Sequence, residues 1–170
     1  MSRSVIGVDI GKRTMKAAQI IHVGRQSRLY ALSLLPRPEP GREISTADAE
    51  ALREALQRQG FAGHRIAIAA SDETLLRAAL ELPTRLTGAP AEQIIRMELS
   101  RLHNVAPDTF EMAYWDFKEE SGSKPVTQVL AIGCAHDAAN GLQDSFEGAG
   151  FFVTALDVRT APDRLYHVVP

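Results

Sequence analysis

Residues 5–16 read Val5-Ile6-Gly7-Val8-Asp9-Ile10-Gly11-Lys12-Arg13-Thr14-Met15-Lys16. Residues 5–10 and 14–21 are two β-type runs joined by a short Gly-Lys-Arg turn. An acid at the end of a first strand, followed by a glycine turn and a second strand, lets backbone N–H groups and a hydroxyl face a phosphate. The acid can then orient metal-bound water. Asp9, Gly11, Lys12, Arg13 and Thr14 supply these groups, and Lys16 adds a point charge. The same spacing also suits an ordinary hairpin with Gly11 in a left-handed turn. Neither a Gly-x-x-x-x-Gly-Lys-Ser/Thr run nor a Gly-x-Gly-x-x-Gly run occurs, so P-loop and Rossmann sites have no support.

Residues 28–35 continue as a third strand, and Pro36, Pro38, Pro40 and Gly41 then break regular structure. Ser45 or Thr46 can cap a helix whose apolar positions Ala49, Leu52, Ala55 and Leu56 follow helical spacing, and Gly60 ends it. Residues 65–70 form a short buried strand, so 1–70 reads β-β-β-α-β. Beyond it, 74–82 is strand-like, 90–103 helical, 110–117 strand-like, 119–125 a polar turn, 126–134 a strand, 137–148 helical and 151–158 a last strand. That order is β-α-β-β-α-β, the split βαβ arrangement of ferredoxin-like units. Thr160 and Pro162 suit the start of a further helix. The expected fold class is mixed α/β (α+β), with units at 1–70 and 71–158 and a new helix opening in 159–170.

The chain has 170 residues, 45% of them hydrophobic, enough to bury a core. A net charge of −2 gives no global field for nucleic acid or anionic lipid. The N-terminus places Asp9 where a signal peptide would have its apolar centre, and no apolar run approaches the roughly 18 residues that cross a bilayer. Membrane association would have to pass through a partner. Cys134, the single cysteine, lies in the apolar run 129–134 and reads as a small core residue in a reducing compartment.

Other polar residues point to surface roles. The five histidines are dispersed without metal-ligand spacing. Ser71-Asp72 lacks a glycine elbow and reads as a turn or cap. Glu111, Asp116, Glu119 and Glu120 read as a solvated face. Tyr114 and Trp115 must point to opposite faces of one strand, which leaves one in the core and the other able to contact a partner. The helix over 90–103 carries Ile94, Ile95, Met97, Leu99 and Leu102, an apolar surface wider than a minimal stripe.

These segments, in this order, resemble PilM-type type IV pilus assembly proteins, relatives of FtsA in the actin-like ATPase superfamily. The resemblance rests on residues 5–11 followed by Lys16-Ala17-Ala18, then Leu82-Pro83, Glu92-Gln93-Ile94-Ile95 with Glu98, Val105-Ala106-Pro107 and Tyr114-Trp115-Asp116-Phe117. Gly148-Ala149-Gly150-Phe151 and Leu156-Asp157-Val158 complete it. It covers essentially the whole chain but only the N-terminal half of such a protein. The chain departs from the family pattern at Lys12-Arg13, where the family usually has small hydroxyl residues.

The resemblance implies an actin-like, RNase H-like subdomain 1A over 1–70, an inserted ferredoxin-like subdomain 1C over 71–158, and a return to 1A from 159. It implies ATP and Mg2+ as ligands, with Asp9, Gly11, Lys12, Arg13, Thr14 and Lys16 at the nucleotide and Asp9 reaching the metal through water. It further implies a cytoplasmic scaffold of a type IV pilus that binds an N-terminal peptide of a PilN-like inner-membrane protein in a groove between 1–70 and 74–158. Self-association is a further option, and no nucleic-acid partner is expected. The L component of type II secretion would read much the same. The rival reading is a fragment of a catalytic ATPase or sugar-kinase-like enzyme. Phosphoryl transfer needs a second lobe to close on Mg–ATP, so the isolated chain is not expected to be an enzyme.

Overall fold

A computed structural model of the chain describes residues 2–41, 43–71, 74–83, 89–117 and 126–158. The expected polar turn at 119–125 and the helix opening in 159–170 lie outside the described residues, as do Asp72, Glu119 and Glu120. The described residues form two compact units, two sheets and three helices, a mixed α/β fold.

Unit 1 holds residues 2–71 and 139–158. Its sheet contains β1 (Ser2–Arg3), β2 (Ile6–Ile10), β3 (Thr14–Val23), β4 (Gln26–Pro36), β5 (Arg65–Ala70) and β9 (Phe152–Val158). The strands β2, β3 and β4 run as an antiparallel meander, in the order the opening sequence predicts. β5 then pairs parallel to β2 with Ile6 opposite Ile66 and Asp9 opposite Ala69. Alternation fixes the faces: Ile6, Val8, Ile10, Met15, Ala17, Ile66 and Ile68 are buried, while Gly7 and Lys16 lie on the opposite, open face.

Helix α1 (Thr46–Arg58) buries Ala49, Leu52, Ala55 and Leu56. Ser45 is its N-cap, in a capping box with Asp48, and the chain turns out of the helix through Gln59 to Gly60 at φ 80°. Gln19, fully buried, donates to the carbonyls of Ser4 and Ala62 and accepts from Ala62 N–H, so its amide costs no unsatisfied group.

Unit 2 holds residues 74–83, 89–117 and 126–138. Here β6 (Leu75–Pro83), β8 (Val126–Ala135) and β7 (Phe110–Phe117) form an antiparallel sheet with β8 central. Helix α2 (Ala89–His103) contributes Ala91, Ile95 and Leu99 to a core shared with Ala78, Leu82, Phe110, Val129 and Ala131. Ile94, Met97 and Leu102 of the same helix are exposed. Tyr114 packs against this core while Trp115, on the other face of β7, is exposed, as their adjacency requires.

The ferredoxin-like β-α-β-β-α-β unit expected over 71–158 does not form. Helix α3 (His136–Gly148) and β9 leave the small sheet, and β9 pairs parallel to β5 from Arg65↔Phe152 to Ala70↔Val158. The reason lies in α3. Leu142 and Phe146 are buried, Phe146 meets Phe151 with ring centroids 5.8 Å apart, and Ser145 Oγ donates to the Ile44 carbonyl at the foot of α1. Arg53 of α1 donates to the Ala149 carbonyl and Phe152 N–H donates to His64 O, which delivers β9 to the edge of β5. Gly150 takes φ 81° at this corner.

Candidate functional site

The turn between β2 and β3 is a tight hairpin. Ile10 faces Met15 and Asp9 faces Lys16, and Gly11 N–H donates to Thr14 O at 2.8 Å, so Lys12 and Arg13 alone form the loop. Gly11 is not in the left-handed region; among the described residues the positive-φ glycines are Gly24, Gly41, Gly60, Gly63 and Gly150. Glycine is favoured for another reason, because a Cβ at this position would lie 3.0 Å from the Thr14 carbonyl oxygen, a tight contact.

The loop is braced from outside by the proline-rich segment. Arg37 N–H donates to Arg13 O and Gly41 N–H donates to Lys12 O, both at 2.9 Å. The Arg37 guanidinium donates to Gly11 O at 3.4 Å, to Glu43 O at 3.0 Å, and to Asp48 Oδ2 through Nε at 3.1 Å and Nη2 at 2.8 Å. Both side chains of this ion pair are buried. Asp48 also accepts from the N–H groups of Glu39 and Ser45. One carboxylate thus gathers the helix cap, the proline-rich loop and the candidate phosphate turn. Asp48 carried only a weak signal in sequence, the Ser-x-x-Asp of a capping box. Arg37 carried none, since it sits among prolines.

The candidate residues come together around this hairpin. Asp9 and Lys16 form an ion pair at 3.0 Å on the open face of the sheet. Lys12 and Arg13 are exposed at the tip, and Thr14 follows at the start of β3. Beside Asp9, across β2 and β5, stand Gly7, Ala67 and Ala69, which offer a floor without bulky side chains. Three cationic side chains against one carboxylate make the turn locally positive, which suits a phosphate. The Gly11 N–H is spent within the hairpin, so an anion would be held by side chains and by what remains of the loop backbone. A divalent ion fits less well: Asp9 is a single carboxylate already bonded to Lys16. Among the described residues no group of three His, Cys, Asp or Glu could hold a metal.

No protein-family model matches the sequence, and no curated protein matches it significantly. Solved structures do match. A chain of the PilM-PilN type IV pilus biogenesis complex has a TM-score of 0.71 at 21% identity, over 91% of this chain and 47% of that one. The fold is PilM-like. The chain is also similar in fold to the cytoplasmic domain of EpsL, an inner membrane component of the type II secretion system of Vibrio cholerae. Its TM-score is 0.54 at 12% identity, over 92% of this chain and 57% of that one. The chain therefore spans about half the length of the solved chains it matches. Among the described residues no helix is long and apolar enough to cross a membrane.

Proposed function

We propose that the chain is a non-catalytic, actin-like scaffold component of a type IV pilus or a related secretion machine. It works in the cytoplasm, peripheral to the inner membrane through its partners, and takes up a short peptide of a PilN-like protein. The observation that carries this reading is the PilM-like fold, which extends over both units of the chain. In this reading unit 1 corresponds to subdomain 1A and unit 2 to the inserted subdomain 1C.

Nucleotide enters as a ligand of the β2–β3 turn, with phosphate held by Lys12, Arg13 and Thr14 and with ATP tuning assembly rather than being turned over. The Asp9–Lys16 pair keeps the local charge balanced on the open face next to that turn. The test is titration calorimetry of the purified chain with the N-terminal peptide of a PilN-like protein, alongside a phosphate-release assay with Mg–ATP. Saturable peptide binding without ATP hydrolysis is the expected result. Robust hydrolysis, or no heat with the peptide, would overturn the scaffold reading.

A further inference from the structure

Unit 1 carries a cavity of about 180 Å³ at the end of its sheet away from the β2–β3 turn. The turn follows the C-terminal end of β2, whereas the cavity lies where β5 and β9 begin, at Arg65↔Phe152. Its walls are apolar: Leu56 and Phe151 are buried and Phe61 is half-buried. The half-buried Arg53 guanidinium enters this wall. It donates to Ala149 O and lies where a Cβ of Gly150 would otherwise stand, so it is held in place before any ligand arrives. No carboxylate among the described residues pairs with it. Glu54, next to it on α1, pairs with Arg58 at 3.5 Å, and Glu147 accepts from Gln143 at 3.0 Å. Beyond the bond to Ala149 O, the N–H donors of Arg53 have no protein partner among the described residues, and none of its nitrogens is both sealed from solvent and unbonded. Gln57 and His64 stand exposed at the rim beside Gly63. The carbonyls of Gln57 and His64 accept from Gly60 and Phe152 N–H, while their side chains make no hydrogen bond among the described residues.

We propose that this cavity binds the anion of a small carboxylic acid whose apolar body is a short branched chain or a single ring. The carboxylate supplies the counter-charge that Arg53 lacks and accepts its remaining N–H groups, and the Gln57 amide and the His64 ring can donate at the rim. The apolar body displaces water from Leu56, Phe61 and Phe151. Size limits the ligand to this class. A dry cavity of about 150 Å³ takes up benzene, whereas drug-sized ligands occupy about 300 Å³ or more, so a nucleotide is too large. Inorganic phosphate suits the cavity less, because oxygens turned toward the leucine and the two phenylalanines would be left without donors. The site rests on none of the residues of the candidate phosphate turn, and it is independent of the scaffold reading.

The test is a titration of the full chain with isovalerate and with benzoate, followed by the amide NMR shifts of Gly63, His64 and Gly150. At least one acid should shift these signals to saturation, with a dissociation constant on the order of millimolar. The corresponding neutral amide, isovaleramide or benzamide, should bind roughly tenfold more weakly or worse, since it offers Arg53 no charge. Q57E sets a second carboxylate at the rim and should weaken acid binding by roughly threefold or more, while Q57K should not weaken it. Gln57 is exposed, so both variants spare the fold. R53M should abolish binding, with circular dichroism as the folding control. Because Arg53 also holds Ala149 O, the Gln57 pair decides the matter if R53M unfolds. Absence of saturable shifts with both acids, equal binding of the amides, indifference to Q57E, or displacement of the acid by equimolar inorganic phosphate each overturns the proposal.

Discussion

Arg37 and Asp48 meet at 2.8 Å as a fully buried ion pair, and the same arginine holds the carbonyl of Gly11. The pair connects a loop with no regular structure to the first turn of α1 and to the β2–β3 hairpin. Removing one partner leaves the other charge buried without its counter-ion, which costs about 3–5 kcal/mol. Arg37→Met and Asp48→Leu are each expected to lower the urea midpoint by that order. The double variant should lose less than the sum of the two, as a coupled pair requires.

Gly11→Ala and Gly7→Ala separate close approach from ordinary strand glycine. The new Cβ would lie 3.0 Å from Thr14 O in the first case and 3.8 Å from Ala18 O in the second. Gly11→Ala is expected to cost about 1–3 kcal/mol in chemical unfolding. Gly7→Ala should stay within about 0.5 kcal/mol of wild type. Equal effects would mean that the hairpin can open to accept a methyl group.

If the turn contacts phosphate, Lys12→Ala/Arg13→Ala removes charge-assisted hydrogen bonds and should reduce ATP affinity by roughly tenfold or more, measured by equilibrium dialysis. Lys16→Met, which breaks an ion pair that is half exposed, should change folding stability by no more than about 1 kcal/mol. Unchanged ATP binding in the double alanine variant would remove the turn from the nucleotide reading.

Burial pushes the Cys134 thiol above its ordinary value of 9.0. A raised folded pKa means that the native state holds the proton more tightly than the unfolded chain. The associated stability is therefore fully present below the unfolded pKa and is lost as pH rises through the folded one. Urea midpoints measured from pH 7 upward, a series set by the thiol's ordinary range, should fall more steeply for wild type than for Cys134→Ala once the thiol begins to ionise. Parallel curves would contradict the assignment.

Helix α2 offers a contrast within one element. Ile95 is fully buried in the unit 2 core, whereas Met97, two residues away, is 59% exposed. Ile95→Ala should cost about 2–5 kcal/mol by thermal or urea unfolding. Met97→Ala should fall within about 0.5 kcal/mol of wild type, because little apolar area is returned to water.

Much of this molecule was written locally in its sequence. Alternation in 5–10 and 14–21 set the faces of β2 and β3, the short Gly-Lys-Arg turn joined them, and Ser45 with Gly60 marked the ends of α1. The neighbourhood of Asp9, Gly11, Lys12, Arg13, Thr14 and Lys16 followed, because residues joined by a tight turn cannot be far apart. Local pattern also showed that 137–148 is a helix and 151–158 a strand, but not which sheet they join. Burial of Phe146 and Phe151, with Ser145 and Arg53 anchoring the chain to α1, sends β9 to β5, pairing Arg65 with Phe152 and Ala70 with Val158 far apart in sequence. The same holds for Arg37. A charge among prolines has no periodicity to betray it, and only the folded chain, which brings Asp48 to it in a dry interior, makes it the brace of the candidate site.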